Sequence, residues 1–128
     1  MTTILLVDDE RLVLRSLEKT LLRVGFDVIT ASDCRSGFEV FEKNLSAIDL
    51  AIFDLNMPGF DDVSIDAAGL SLLQKVLEKK PGLLCIVLTA YDELGKAREA
   101  VTLGAKAYFV KGREQGLVEL IQKILSQE

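Results

Sequence analysis

Four short apolar runs constrain what this chain can fold into: residues 4–7 (ILLV), 50–53 (LAIF), 83–88 (LLCIVL) and 107–110 (AYFV). Each is too short for a helix that buries a stripe of its own, so each reads as a strand. The runs show almost no alternation. A strand that is apolar on both faces needs cover on both faces, as in a parallel sheet between two layers of helices. A weaker run over residues 26–31 is interrupted by Asp27 and Thr30, which suits an edge strand. Between the runs the period becomes helical. Val13, Leu17, Leu21 and Val24 form one stripe, closed by Gly25 as a C-terminal cap. Phe38, Phe41 and Leu45 form a second, after the possible N-cap residues Ser32 and Asp33. Gly69, Leu73, Val76 and Leu77 place a third helix over about residues 67–80, and Pro81 prevents its continuation. A shorter fourth starts near Asp92, turns Leu94, Ala97, Ala100 and Val101 inward, and stops at Gly104. Leu117, Leu120, Ile121, Ile124 and Leu125 mark the fifth. The alternation is an α/β (βα)5 unit. Right-handed crossovers then make a doubly wound, five-stranded parallel sheet with helices on both faces the simplest solution.

The length, 128 residues, suits one domain over residues 1–128. Fifteen Lys and Arg against twenty Asp and Glu leave a net charge of −5, so the chain as a whole offers nucleic acid or an anionic membrane no attraction. Cys34 and Cys85 stand alone without CxxC spacing, and no secretory signal precedes Ile4, which together favour a reduced, cytoplasmic protein. The chain has no histidine. Histidine-based zinc sites, Ser-His-Asp triads and phosphohistidine chemistry on this chain are therefore excluded, and chemistry must run on carboxylates, hydroxyls and lysines.

In a doubly wound sheet, ligands bind beyond the carboxyl ends of the strands. Asp8, Asp9 and Glu10 follow the first strand, Asp54 ends the third, Thr89 the fourth and Lys111 the fifth, all on that edge. Carboxylates crowded together disfavour joint ionisation unless a cation sits between them. An oxygen-only donor set favours Mg²⁺ or Mn²⁺, and an aspartate beside such an ion is a competent nucleophile toward phosphorus. Singly, each residue has a plainer reading. Asp8 and Asp9 could be an acidic helix start, Thr89 a strand-end hydroxyl and Lys111 a surface lysine. Asp54 is harder to dismiss as a helix cap, because Leu55-Asn56-Met57-Pro58-Gly59 does not begin a helix. The joint placement at four strand ends carries the inference.

With Val7-Asp8-Asp9-Glu10, Asp54-Leu55-Asn56-Met57-Pro58-Gly59, Leu88-Thr89-Ala90, and Gly104-Ala105 followed by Tyr108-Phe109-Val110-Lys111, the whole chain resembles the response-regulator receiver domains of two-component signalling, CheY-like switches. The resemblance implies a flavodoxin-like strand order 2-1-3-4-5. It implies Asp54 as phosphoacceptor, Asp9 as a direct Mg²⁺ ligand, Asp8 as a ligand through water, and the main-chain carbonyl of Asn56 as a further ligand. Thr89 would hydrogen-bond a phosphoryl oxygen, Lys111 would neutralise another, and Tyr108 would reorient as Thr89 moves, unless it is an ordinary strand aromatic. It implies a sensor histidine kinase or phosphotransfer protein as donor and an output domain or effector as recipient. A homodimer through the fourth helix, fifth strand and fifth helix is a further expectation, although Leu94, Val101 and Leu117 are equally explained as core.

Two departures from the family pattern stand out. Gly112 follows Lys111 where proline in a cis peptide is usual; a cis bond without proline costs ~2.5–4 kcal/mol, so a trans bond and a differently shaped loop are expected. On that reading Gly112→Pro is tolerated, unless the glycine adopts a positive φ. Between Asp54 and Gly69 the chain is also longer than the usual loop, and the extension over residues 60–68 bears Asp61, Asp62 and Asp66. It reads either as a solvated loop or as a partner-reading or site-shielding one.

The resulting expectation is a switch that catalyses only its own phosphorylation and dephosphorylation. An aspartate-dependent phosphohydrolase is the competing enzyme reading, weakened by Asn56 where such enzymes place a second acid and by a length that leaves no room for a cap domain. A receiver that binds partners without phosphorylation is disfavoured because each acidic and hydroxyl position is filled.

Overall fold

The computed structural model describes residues 2–55, 57, 65–90, 93–112 and 114–127, with residues 65–68 as helix backbone. Five strands, β1 (Thr3–Val7), β2 (Asp27–Ala31), β3 (Leu50–Asp54), β4 (Leu84–Thr89) and β5 (Ala107–Val110), alternate with five helices. These are α1 (Arg11–Val24), α2 (Cys34–Lys43), α3 (Ile65–Lys79), α4 (Leu94–Thr102) and α5 (Glu114–Ser126). All strand pairings are parallel, in the order β2-β1-β3-β4-β5, so the expected doubly wound sheet and its edge strand are both present.

The absence of alternation in the strands is explained by two cores, one on each face. Leu5, Val7, Ala51, Phe53, Cys85 and Val87 point to the side covered by α2, α3 and α4, where Phe41, Leu72, Leu73, Val76, Ala97 and Ala100 pack on them. Ile4, Leu6, Leu50, Ile52, Ile86 and Leu88 point the other way, onto Leu17 and Leu21 of α1 and Leu117, Ile121 and Ile124 of α5. The parallel register aligns Val7 with Phe53 and Asp54 with Leu88, so β1, β3 and β4 end together and the residues after them share one edge.

Local signals fix the helix ends. Gly25 closes α1 with φ +111°, a conformation open to glycine and rare for other residues. Asp33 caps α2 by accepting a hydrogen bond from the Ser36 amide at 2.7 Å. The Lys80 ammonium donates to the carbonyls of Leu45 and Ile48 at 2.7 and 2.6 Å, tying the α2–β3 connection to the end of α3.

Several expectations need correction. The third helix starts at Ile65, not near residue 67, so residues 65–68 of the expected long loop are helical. Residues 58–64, with Asp61 and Asp62, lie outside the described residues, as does Asp92 at the expected start of α4. Val24 is 41% exposed, because the α1 stripe runs out into the turn at Gly25. Val101 is 40% exposed: α4 buries the small pair Ala97 and Ala100, and Val101 lies 100° round from Ala100. Leu117 is core at 1% exposure. Leu45 lies beyond the end of α2, although it still packs against the core.

Candidate functional site

At the carboxyl edge of the sheet, the end of β1 buries Asp8, the end of β3 buries Asp54 and the end of β4 buries Thr89; these are the buried polar side chains among the described residues. Strand geometry puts them there, since each follows a run whose other members are committed to a core. The turn after β5 adds Lys111, whose amide donates to the Thr89 carbonyl at 3.0 Å and continues the β4–β5 ladder for one more residue.

The Lys111 ammonium gathers the acidic groups. It lies 2.9 Å from Asp54 Oδ2, 3.1 Å from Asp8 Oδ2 and 2.5 Å from Glu10 Oε1. Burial works against its charge, but hydrogen bonds to Glu10 and Asp54 and the charges of Asp54 and Asp8 outweigh it, so the Lys111 pKa is raised and the ammonium stays protonated. For Asp8 the balance falls the other way. Burial pushes its carboxyl above the usual range, and the Glu10 amide at 2.9 Å from Oδ1, together with Lys111, offsets only part of that.

Carboxylate oxygens of Asp8, Glu10 and Asp54 lie within 4.8 Å of one another. Asp8 Oδ2 is buried with no donor aligned for a hydrogen bond, the ammonium at 3.1 Å being an ion contact only. Three carboxylates against one ammonium leave a charge of −2, and the donors are all oxygen. The set fits a hard divalent cation such as Mg²⁺.

The sequence expectations meet this geometry unevenly. Asp8, Asp54 and Lys111 converge as expected. Asp9 is exposed and stands outside the trio. Asn56 lies outside the described residues. The Thr89 hydroxyl donates to the Ala90 and Glu93 carbonyls, each at 3.2 Å, so it is engaged by the β4–α4 connection. Tyr108 is aligned with Val87, and Thr89 with Val110. By the two-residue period of strands, Thr89 and Tyr108 therefore face the α4 side together, with the ring 36% exposed. The sequence places Glu10 in the acidic run without marking a role for it. A side chain two residues after Asp8, on the same turn, was the signal for it.

Beyond Lys111 the chain takes the turn that the missing proline allows. Among the described residues no peptide bond is cis, and Gly112 has φ +106°. Proline holds φ near −65°, so the expectation that Gly112→Pro is tolerated is overturned by the backbone itself. Beneath this turn an apolar cavity of about 260 Å³ is lined by Leu12, Val13, Leu17, Leu88, Phe109 and Leu117. The Glu114 carboxylate accepts hydrogen bonds from the hydroxyls of Ser16 and Thr20, binding the start of α5 to α1.

Residues 4–124 match the family model described as the response regulator receiver domain. The structure superposes on a receiver domain protein from Clostridium thermocellum with a TM-score of 0.88 at 29% identity, covering 99% of this chain and 96% of that one. A CheY-like receiver protein from Methanospirillum hungatei gives 0.86 at 30%, covering 99% and 95%. The chemotaxis protein CheY of Treponema pallidum is 30% identical over 109 residues, 84% of this chain and 71% of that protein. The transcriptional regulatory protein YesN of Bacillus subtilis is 30% identical over 129 residues, 99% of this chain and 33% of the relative's own length.

Proposed function

This chain belongs to the response regulator receiver domain family, and on that premise we propose that it is a single receiver domain in which Asp54 takes a phosphoryl group from a phosphohistidine. The carrying observation is the convergence of Asp54, Asp8 and the Lys111 ammonium at one sheet edge, 2.9 Å separating Lys111 from Asp54 Oδ2. A carboxylate oxygen of Asp54 attacks phosphorus, the P–N bond of the donor breaks, and the imidazole leaves with the bonding pair. Water later attacks the aspartyl phosphate, returning the carboxylate and releasing inorganic phosphate. Lys111 offsets the charge on one phosphoryl oxygen, and Thr89 leaves the Ala90 and Glu93 carbonyls to bond another. Of the three clustered carboxylates, Asp8 and Asp54 would hold Mg²⁺ together with Asp9 and the carbonyl of Asn56, while Glu10 stays on Lys111. Once bound, the ion supplies charge neutralisation and orientation for the transferring group.

Tyr108, on the same face as Thr89, follows it inward from its exposed position, and that exchange is the switch. The donor is a sensor histidine kinase or phosphotransfer protein, and the recipient an output domain or effector. The exposed Val101, Leu103 and Tyr108 lie on α4, just after it and on β5, the region proposed for pairing with a second copy. Because the chain spans only 33% of YesN and 24% of FleR, a response regulator protein of Pseudomonas aeruginosa, the output is open to any such arrangement. Among the described residues no helix is long and apolar enough to cross a membrane; we place the domain in the cytoplasm, where phosphohistidine donors are made.

The test is intact-mass analysis after incubation with acetyl phosphate and Mg²⁺. One labile phosphate is expected on the wild type and none on Asp54→Asn; equal labelling of both overturns the assignment.

A further inference from the structure

An ammonium has three N–H donors, and Lys111 spends all three on carboxylates: Glu10 at 2.5 Å, Asp54 at 2.9 Å and Asp8 at 3.3 Å. A phosphoryl oxygen that binds Lys111 must therefore replace one of them. Asp8 is fully buried, and its release would leave that carboxylate out of water with one neutral donor, the Glu10 amide on Oδ1, and no hydrogen bond on Oδ2. Asp54 stays within reach of the ammonium because it is the residue that carries the phosphoryl group. Glu10 is different. Its side chain is 58% exposed, so water can solvate the carboxylate when it is released. It stands at the start of α1 yet makes no side-chain cap there, so no helix bond holds it in place.

We propose that Glu10 is a positioning residue, the placeholder anion that holds Lys111 over Asp54 before phosphorylation and is exchanged for a phosphoryl oxygen when the phosphate arrives. The inference rests on the reading of Asp54 and Lys111 given above. It keeps the ammonium poised over Asp54 in the resting site, because Lys111 is held by an anion that is cheap to release. It also sets a brake on the phosphorylated state, since the Glu10 carboxylate competes with the phosphate for the same donor. Removal of the competitor strengthens phosphate binding, whereas a residue that merely supported the fold would weaken binding when removed.

The test uses beryllofluoride with Mg²⁺ as the phosphoryl probe on the full chain. Glu10→Gln, which keeps the shape and removes the charge, is expected to tighten beryllofluoride binding by about fivefold, the scale of one partly exposed ion pair. Glu10→Asp keeps the charge but withdraws it by one methylene, and is expected to behave like Glu10→Gln if the contact with Lys111 matters. Wild-type affinity in Glu10→Asp with tightening in Glu10→Gln would reduce the effect to long-range charge and overturn the proposal, as would unchanged or weaker binding in Glu10→Gln. In the wild type, the Glu10 side-chain carboxyl resonance in carbon-13 spectra should move to a solvated position as the probe saturates; a resonance that stays fixed also overturns it. Failure of the wild type to bind the probe at all would instead strike at the parent reading of the site.

Discussion

Gly69 of α3 lies against Leu55 so closely that a Cβ placed on it would come within 2.5 Å of Leu55 Cα and 2.6 Å of the Leu55 carbonyl oxygen. The Gly69 amide also donates to that carbonyl at 3.3 Å. Backbone meets backbone here, one residue beyond Asp54, and neither side can give way as a side chain would. Gly69→Ala should therefore destabilise the fold by more than about 2 kcal/mol, the scale of an overpacked core. Urea denaturation checks this, and a midpoint unchanged from wild type would contradict the close approach.

Gly112 needs its backbone freedom for a different reason. A Cβ there would meet nothing within 4 Å, so any cost of substitution comes from φ +106° alone. Gly112→Ala should cost about 1–2 kcal/mol from the left-handed conformation, and Gly112→Pro should cost more and displace Lys111. Thermal unfolding ranks the two, and phosphorylation by acetyl phosphate should fall more steeply in the proline variant than in the alanine one.

Burial makes the ionised form of Asp8 costly to the fold. Burial raises its pKa, so the charged form is disfavoured in the folded state relative to the unfolded one. Asp8→Asn should raise Tm by a few degrees near neutral pH in the absence of divalent ions. The gain should shrink as pH falls through the carboxylate range, where wild-type Asp8 takes up its own proton. Stability should rise while Mg²⁺ binding falls; a variant that loses both contradicts the assignment.

Labelling of Asp54 should require a divalent ion, because the uncompensated carboxylates repel the anionic donor. Full incorporation of phosphate in excess EDTA would contradict it.

Both thiols should be inert in the native protein. Cys34 and Cys85 are buried, and burial pushes each pKa to about 12, so almost no thiolate exists near pH 8. Iodoacetamide should leave the folded chain unmodified over hours and alkylate both cysteines in denaturant, as read by intact mass.

Beryllofluoride should move Thr89 and Tyr108 together. The hydroxyl has two carbonyl partners to leave, and the ring shares its side of the sheet. Resonances of Tyr108 that ignore the probe would mark the ring as plain packing.

The order and type of the elements were legible in the chain, because strand and helix periods are local and the apolar runs could be buried only in a two-faced parallel sheet. Legible too was that Asp8, Asp54, Thr89 and Lys111 reach one edge, since each ends a run or follows one directly. How those side chains meet depends on the folded arrangement. Lys111 lies 101 positions from Glu10, and only the register of β1, β3, β4 and β5 brings the two within a hydrogen bond, which is why the one signal for Glu10 in the sequence is its place two residues after Asp8. Likewise Asp9 differs from Asp8 only by the turn of the chain, which buries one carboxylate and exposes its neighbour. Gly112 and Gly69 look alike as letters. One is needed for a dihedral angle set by the β5–α5 turn and the other for the space between α3 and the end of β3, and both requirements exist only once the chain has closed on itself.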